Sequence, residues 1–349
     1  MISPKLCQLL EDCYPIGSVQ NVQTLTGGEW NQVIRLICDK GAFVLRISHP
    51  TQTQAALAYE HQLLQFMGQR ISEVPSPITS HRGSTYLCQD NLLLTLFPFM
   101  PGRGLDRKSE AECTCAAQML ARLHQIGLEY QDLSPRPNYP PLQYLNWDNN
   151  RIWQWPEVEN LLFYQSELFL KTETDPIKRS CAEQIFAKRS EIVWEREVFR
   201  DWIAALSTSE RLLRFGVVHG DYWRNNVLVN VGKISAVMDW DECQTEWLIY
   251  ELGRATWEFC KNKTQHTLDS QKAIRFLRSY QEAGGPVPST EFDLLIPFMR
   301  CVRIMEVLFA LQQASKFGLD EQASKFGLDE HVLHNLLSLE NLQNIELSE

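Results

Sequence analysis

Three oxygen-bearing side chains stand at fixed spacing in the stretch from Val217 to Trp240, VVHGDYWRNNVLVNVGKISAVMDW. They are Asp221, then Asn226 five residues on, then Asp239 beyond a second apolar run. A carboxylate can orient a hydroxyl group and accept its proton. A carboxamide and a second carboxylate can hold a hard divalent cation through oxygen. Phosphoryl transfer needs both at once: an acceptor for the attacking hydroxyl's proton, and cations that neutralise charge gathering on the phosphate oxygens.

Such groups must be positioned by rigid elements. Val227, Leu228 and Val229, then Ile234, Ala236 and Met238, form two short β-prone segments around Val231-Gly232-Lys233, which reads as a tight turn. The resulting hairpin would carry Asn226 and Asp239 side by side, so that both can bind one Mg²⁺. Magnesium suits so small a protein donor set, because phosphate oxygens and water complete its octahedron.

His219-Gly220-Asp221, the Asn five residues after the Asp, and Asp239-Trp240-Asp241 resemble the protein-kinase signature. More specifically they resemble the core of the aminoglycoside phosphotransferase superfamily, which includes kinases of aminoglycosides, homoserine, choline, methylthioribose and ketosamines. Gly220 stands where protein kinases carry Arg, and Trp240-Asp241 replaces the Phe-Gly that follows their metal-binding Asp. With no Ala-Pro-Glu following, a protein-kinase activation loop is not expected. The resemblance implies an α+β, bilobal protein kinase-like fold, with a small antiparallel β-sheet N-lobe and a larger, mostly helical C-lobe. It further implies ATP and Mg²⁺ as cofactors, Asp221 as catalytic base or hydroxyl-orienting residue, Asn226 and Asp239 as metal ligands, and a structural role for His219.

The chain divides on this reading into residues 1–100, a nucleotide-binding lobe with a hinge at its end, and residues 101–349. The second part would hold the catalytic loop at 217–241 and a substrate-shaping insertion at about 127–208. An amphipathic helix with Leu6, Leu9 and Leu10 on one side opens the first lobe, ending before Pro15-Ile16-Gly17. Val19–Leu25, Asn31–Cys38 and Ala42–Ser48 then read as three antiparallel strands. Gly27 and Gly28, in the first turn, can let backbone amides approach phosphates. Arg46 is the one cation in the apolar third strand. It takes the place of the phosphate-pairing Lys of kinases, with Glu60 on the predicted helix Thr53–Gln69 as its partner. At the hinge, Pro98 has no amide proton, so the Phe97 carbonyl and the amide and carbonyl of Phe99 or Met100 are the expected contacts to adenine.

In the second lobe, Ala116, Ala117, Met119, Leu120 and Leu123 recur at helical spacing through Ser109–Ile126, which places His124 as a packed helix-end residue. Trp147, Trp153 and Trp155 either line a substrate cleft or staple the insertion to its lobe. Glu246–Ala255 resembles the family's Tyr-Asp-Leu-Ala segment opening a helix, with Glu251 in place of the usual Asp. Further helices are expected at 268–283 and 296–311. The nine residues QASKFGLDE occur twice in succession, at 313–321 and 322–330. Nine residues turn a helix through about 900°, which would put repeated apolar residues on opposite faces, so a surface insertion is expected. No metal site is expected at His331 and His334.

Composition bounds the rest. The 349 residues suffice for two lobes, and 44% hydrophobic with 22% charged residues is ordinary for a globular chain. A net charge of −10 disfavours nucleic acid as a partner. No apolar run is long enough to span a bilayer, and the N-terminus shows no signal-peptide pattern. Ten scattered cysteines without a Cys-x-x-Cys pair read as reduced thiols in the cytoplasm. The expected activity is ATP-dependent phosphorylation of a hydroxyl on a small metabolite or antibiotic, of homoserine, amino alcohol, sugar or aminoglycoside type. A nucleotide-binding protein that has lost transfer, or a protein Ser/Thr kinase, is the alternative. The acceptor's identity and the oligomeric state are not legible in the sequence.

Overall fold

A computed structural model describes residues 3–25, 31–316, 328–345 and 347. The chain forms two compact units, one made of residues 1–137 with 217–244, the other of 138–216 with 245–349.

The first unit is built on a five-stranded antiparallel sheet. Helix α1 (Pro4–Cys13) begins at Ser3, whose hydroxyl accepts from the Leu6 amide, and precedes β1 (Val19–Thr24), β2 (Gln32–Cys38) and β3 (Gly41–Ile47). Helix α2 (Gln54–Gly68) follows, capped by Thr53, then β4 (Leu87–Gln89) and β5 (Leu92–Pro98). The strand order is β1-β2-β3-β5-β4. Leu10 of α1, Ile34, Leu36 and Leu45 of the central strands, and Leu94 and Leu96 of β5 form one buried cluster. Neighbouring strand residues point to opposite faces. Leu45 therefore joins that cluster while Arg46 projects to the other side, where Glu60 of α2 meets it.

The same unit holds β6 (Arg103–Gly104) and α3 (Glu110–Gly127), capped by Ser109. The chain returns to it through β7 (Phe215–Val218) and forms the hairpin of β8 (Val227–Asn230) and β9 (Lys233–Val237). Asn230 pairs with Lys233, so the turn is the two residues Val231 and Gly232, at φ 48° and 73°. Two positive φ angles are the geometry that matches the twist of a two-residue hairpin. The hairpin is tied on both sides: β6 pairs with β8, and the Val237 amide donates to the Glu73 carbonyl at 2.7 Å.

β10 (Gln244–Trp247) leads back into the second unit, which is mostly helical. It contains α4 (Trp155–Asn160), a π turn at Leu161–Gln165, α5 (Ser166–Thr172), α6 (Pro176–Ala187) and α7 (Arg189–Ser207). After β10 come α8 (Leu248–Cys260), the two-residue strands β11 (Lys261–Asn262) and β12 (Thr267–Leu268), α9 (Ser270–Glu282), α10 (Leu295–Ala314) and α11 (Glu330–Leu342). Trp147 and Trp153 are buried in ring contact, and the Trp153 indole donates to the Trp147 carbonyl at 2.9 Å. These two rings pack on one another within the insertion. Arg303 on α10, wholly buried, pairs with Glu258 of α8 and with Glu306, each at 3.1 Å.

Glu246 joins two distant stretches of this unit. Its carboxyl accepts from the Leu142 amide at 2.6 Å and from the Trp247 amide at 2.8 Å. Burial pushes its pKa up to about 7 against the pull of those two amides. His334 of α11 lies with its Nδ1 2.7 Å from His266 Nδ1, and His331 Nε2 is 3.4 Å from Glu306. The duplicated nonapeptide falls mainly on residues 317–327, outside the described residues. Among the described residues no helix is long and apolar enough to cross a membrane, and all ten cysteines are free thiols.

Candidate active site

The turn between β7 and β8 is shaped by its backbone. Gly220 has φ 86°, and a Cβ there would stand 2.2 Å from the Glu242 carbonyl oxygen. Only glycine fits so close an approach in that conformation, which explains the loss of the kinase Arg at this place. His219 then binds both sides of the site. Its Nδ1 accepts from the Asp221 amide at 3.2 Å, so Nε2 carries the proton and donates to the Met238 carbonyl at 2.8 Å. The Trp240 ring lies 4.7 Å from the imidazole, and its indole donates to the Val237 carbonyl. His219 is thus a structural residue of the loop.

Asn226 is buried, and its Nδ2 donates to the Asp221 carbonyl and to Asp221 Oδ2, both at 2.9 Å. That orientation leaves the carboxamide oxygen as the end able to meet a cation. The Asn226 carbonyl accepts from the Met238 amide at 2.8 Å, which brings the end of β9 beside the loop. Asp239, next in the chain, sits at φ 62°. A non-glycine residue in this region is uncommon and concentrates at functional sites. Crowding by protein, then the carboxylates of Asp241 and Asp221, push the Asp239 carboxyl up to about 8 against the pull of Arg46, although water still reaches it. A carboxamide oxygen beside carboxylates that repel one another suits a divalent cation, whose charge would relieve that repulsion.

Arg46 is buried and held from two sides. Its Nη2 donates to Glu60 Oε1 at 2.6 Å, and its Nη1 donates to Asp241 Oδ1. Burial alone would lower the Arg46 pKa, but Asp241 and Glu60 outweigh it and raise the group above its ordinary value. Burial likewise pushes Glu60 up while Arg46 pulls it down. With a guanidinium that keeps its proton at 2.6 Å, the pair is ionic. The Phe97 ring packs 5.3 Å from the guanidinium carbon.

Asp241 is further bound by Asn31, whose Nδ2 donates to Asp241 Oδ2 while its own Oδ1 accepts from the His49 amide at 3.0 Å. The buried Arg136 donates to the Asp241 carbonyl and, at 3.3 Å, to that of Cys243. Sequence reasoning missed Asn31, Arg136 and this pairing of Asp241. The signal available was Asp241 itself, a carboxylate where kinases have glycine, opposite an arginine where they have lysine.

The structure brings Asp221, Asn226, Asp239, Arg46 and Glu60 into one constellation within the first unit. Gly27 and Gly28 lie outside the described residues. At the hinge the structure narrows the alternatives. The Phe99 amide donates to the Ala42 carbonyl at 3.0 Å, so the sheet already uses it. Pro98 faces Phe43 where antiparallel partners exchange no hydrogen bonds, and the ladder passes over it to Phe99.

Comparison with known proteins fits this geometry. The fold is that of kinase-like phosphotransferases, α+β with an antiparallel sheet in its N-terminal region and helices in its C-terminal region. An amicoumacin kinase in complex with AMP-PNP, Ca²⁺ and Ami superposes with TM-score 0.68 at 14% identity, covering 99% of this chain and 96% of that one. A spectinomycin phosphotransferase in complex with ADP and spectinomycin gives TM-score 0.64 at 14% identity, covering 97% and 99%. In sequence, the homoserine kinase of Polaromonas naphthalenivorans (strain CJ2) is 25% identical over 285 residues, 82% of this chain and 79% of the relative. That of Methylobacillus glycogenes is 21% identical over 284 residues, 78% and 77%. The model of the phosphotransferase enzyme family matches residues 21–288, and the chain belongs to that family. It is an enzyme that transfers phosphate to a hydroxyl group.

Proposed function

We propose that the enzyme phosphorylates the hydroxyl of a small amino alcohol, of the homoserine or aminopropanol kind, with Mg²⁺ and ATP as donor. The single observation that carries this is Asp221, held at 2.9 Å by a buried Asn226 beside the carboxyl of Asp239 and a fixed guanidinium. Asp221 orients the acceptor hydroxyl and takes its proton as the oxygen attacks phosphorus. Asn226 and Asp239 would hold the metal, which supplies charge neutralisation at the phosphate oxygens when bound. Arg46 binds a phosphate oxygen, and Gly27 and Gly28 offer backbone amides. At the hinge, the contact to adenine falls to the Phe99 carbonyl and Met100, since Phe97 stands opposite Val44 where antiparallel partners exchange their hydrogen bonds. The choice of acceptor class is supported by homoserine kinases among the sequence relatives and an aminopropanol kinase among the structural neighbours. The division of labour follows: a nucleotide lobe to about residue 100, and acceptor selection by the insertion. Reduced cysteines support a cytoplasmic setting.

ADP release in a coupled assay tests the reading, with homoserine, aminopropanol, a sugar, an aminoglycoside and a generic protein as acceptors. Turnover on an amino alcohol is expected, with Asp221→Asn lowering kcat by about 10²–10⁴-fold and leaving ATP affinity within several fold. Full turnover in that variant would remove Asp221 from its role, and phosphorylation of the protein alone would overturn the acceptor class.

A further inference from the structure

The chain departs from the protein-kinase pattern twice near the phosphates, with Arg46 for lysine and Asp241 for glycine, and the structure brings the two departures together. An ammonium is a point charge that one carboxylate can place. A guanidinium is a plane, and one carboxylate at Nη2 leaves that plane free to turn about the contact. The second anchor at Nη1, from a different element, removes this freedom. Building on the role of Arg46 given above, we propose that Asp241 is a positioning residue that fixes the Arg46 guanidinium plane for the nucleotide phosphates, acting together with Glu60.

The supports of Asp241 fit that task. Arg136 holds its backbone carbonyl, and Asn31 fills the carboxylate oxygen that Arg46 does not use. Because the Asn31 oxygen is taken by the His49 amide, its Nδ2 must face Asp241. An asparagine at 241 would then set a donor against a donor, either at Asn31 or at Arg46. Asp241→Asn is therefore a sharp probe despite its equal size.

The test is calorimetric titration of ATP in EDTA, which reads phosphate binding without the metal and without turnover, together with thermal unfolding of each variant. Asp241→Asn should weaken metal-free ATP binding about tenfold, the scale of a charge-assisted hydrogen bond. In an Arg46→Lys background, where no plane needs fixing, the same change should cost less than about twofold. Asn31→Ala, which leaves both charges in place, should give a smaller loss of the same kind and carries the test if Asp241→Asn does not fold. Unchanged or tighter metal-free binding in the folding variant, or an equal loss in the Arg46→Lys background, would overturn the proposal. Arg46→Ala separates the two levels: wild-type metal-free affinity there would sink the phosphate-binding role of Arg46 itself.

Discussion

In the metal site proposed for it, Asp239 would be a side chain prepared for a ligand at the expense of its own comfort. Its backbone is left-handed, and its carboxyl is pushed up to about 8 by crowding and by Asp241 and Asp221. Below that pH the metal-free protein keeps a proton on Asp239, and a divalent cation bound there as proposed would have to displace it. Mg²⁺ affinity should thus rise with pH until about 8 and level off above it. Calorimetry at pH 7 in buffers of different ionisation enthalpy should record proton release on Mg²⁺ binding, and Asp239→Asn should abolish the release. A pH-independent Mg²⁺ affinity in the wild type would remove Asp239 from the metal site. Gly220 makes the complementary point: there the constraint is steric, and no side chain can replace the missing one.

At the level of elements, the β8–β9 hairpin was legible because two short β-prone segments flank a glycine-containing turn. So were α2 and α3, because Thr53 and Ser109 cap apolar runs of helical period. The link between Arg46 and Asp241 was not legible, since the two lie 195 residues apart and no local pattern records a pairing made by the tertiary fold. The choice between Phe99 and Met100 at the hinge was not legible, because the phase of strand hydrogen bonding depends on register, which apolar alternation alone does not fix. The hairpin also carries a flaw. Val231 is β-branched, 94% exposed and at φ 48°, a conformation that asparagine tolerates far better. Val231→Asn should stabilise the protein by about 1 kcal/mol in urea unfolding, the scale of the left-handed penalty that asparagine tolerates better, with kcat unchanged. A loss of stability would show that the turn does not form as described.

For the molecule as a whole, the buried Glu246 makes stability depend on pH. Its folded pKa of about 7 stands above the ordinary 4.5, so the folded state binds this proton more tightly than the unfolded chain. The resulting stabilisation is complete below 4.5 and disappears as pH rises through 7. At full size it is on the order of 3 kcal/mol. Urea unfolding at pH 5 and pH 8 should show wild type losing most of this amount relative to Glu246→Gln, which carries no charge to bury. Equal pH slopes in the two proteins would refute the assignment.

The first unit is assembled from two stretches of chain separated by residues 138–216. During translation, the sheet and α1 leave the ribosome long before the loop and hairpin that finish their unit. At roughly 5–20 residues per second the interval lasts several seconds. Throughout it Arg46 has Glu60 but not Asp241, and the surface that will receive β8 and β9 is uncovered. The nascent polypeptide is consequently most exposed to chaperones and proteases while the intervening helices are being made. A fragment ending at residue 137 should remain in that vulnerable state permanently.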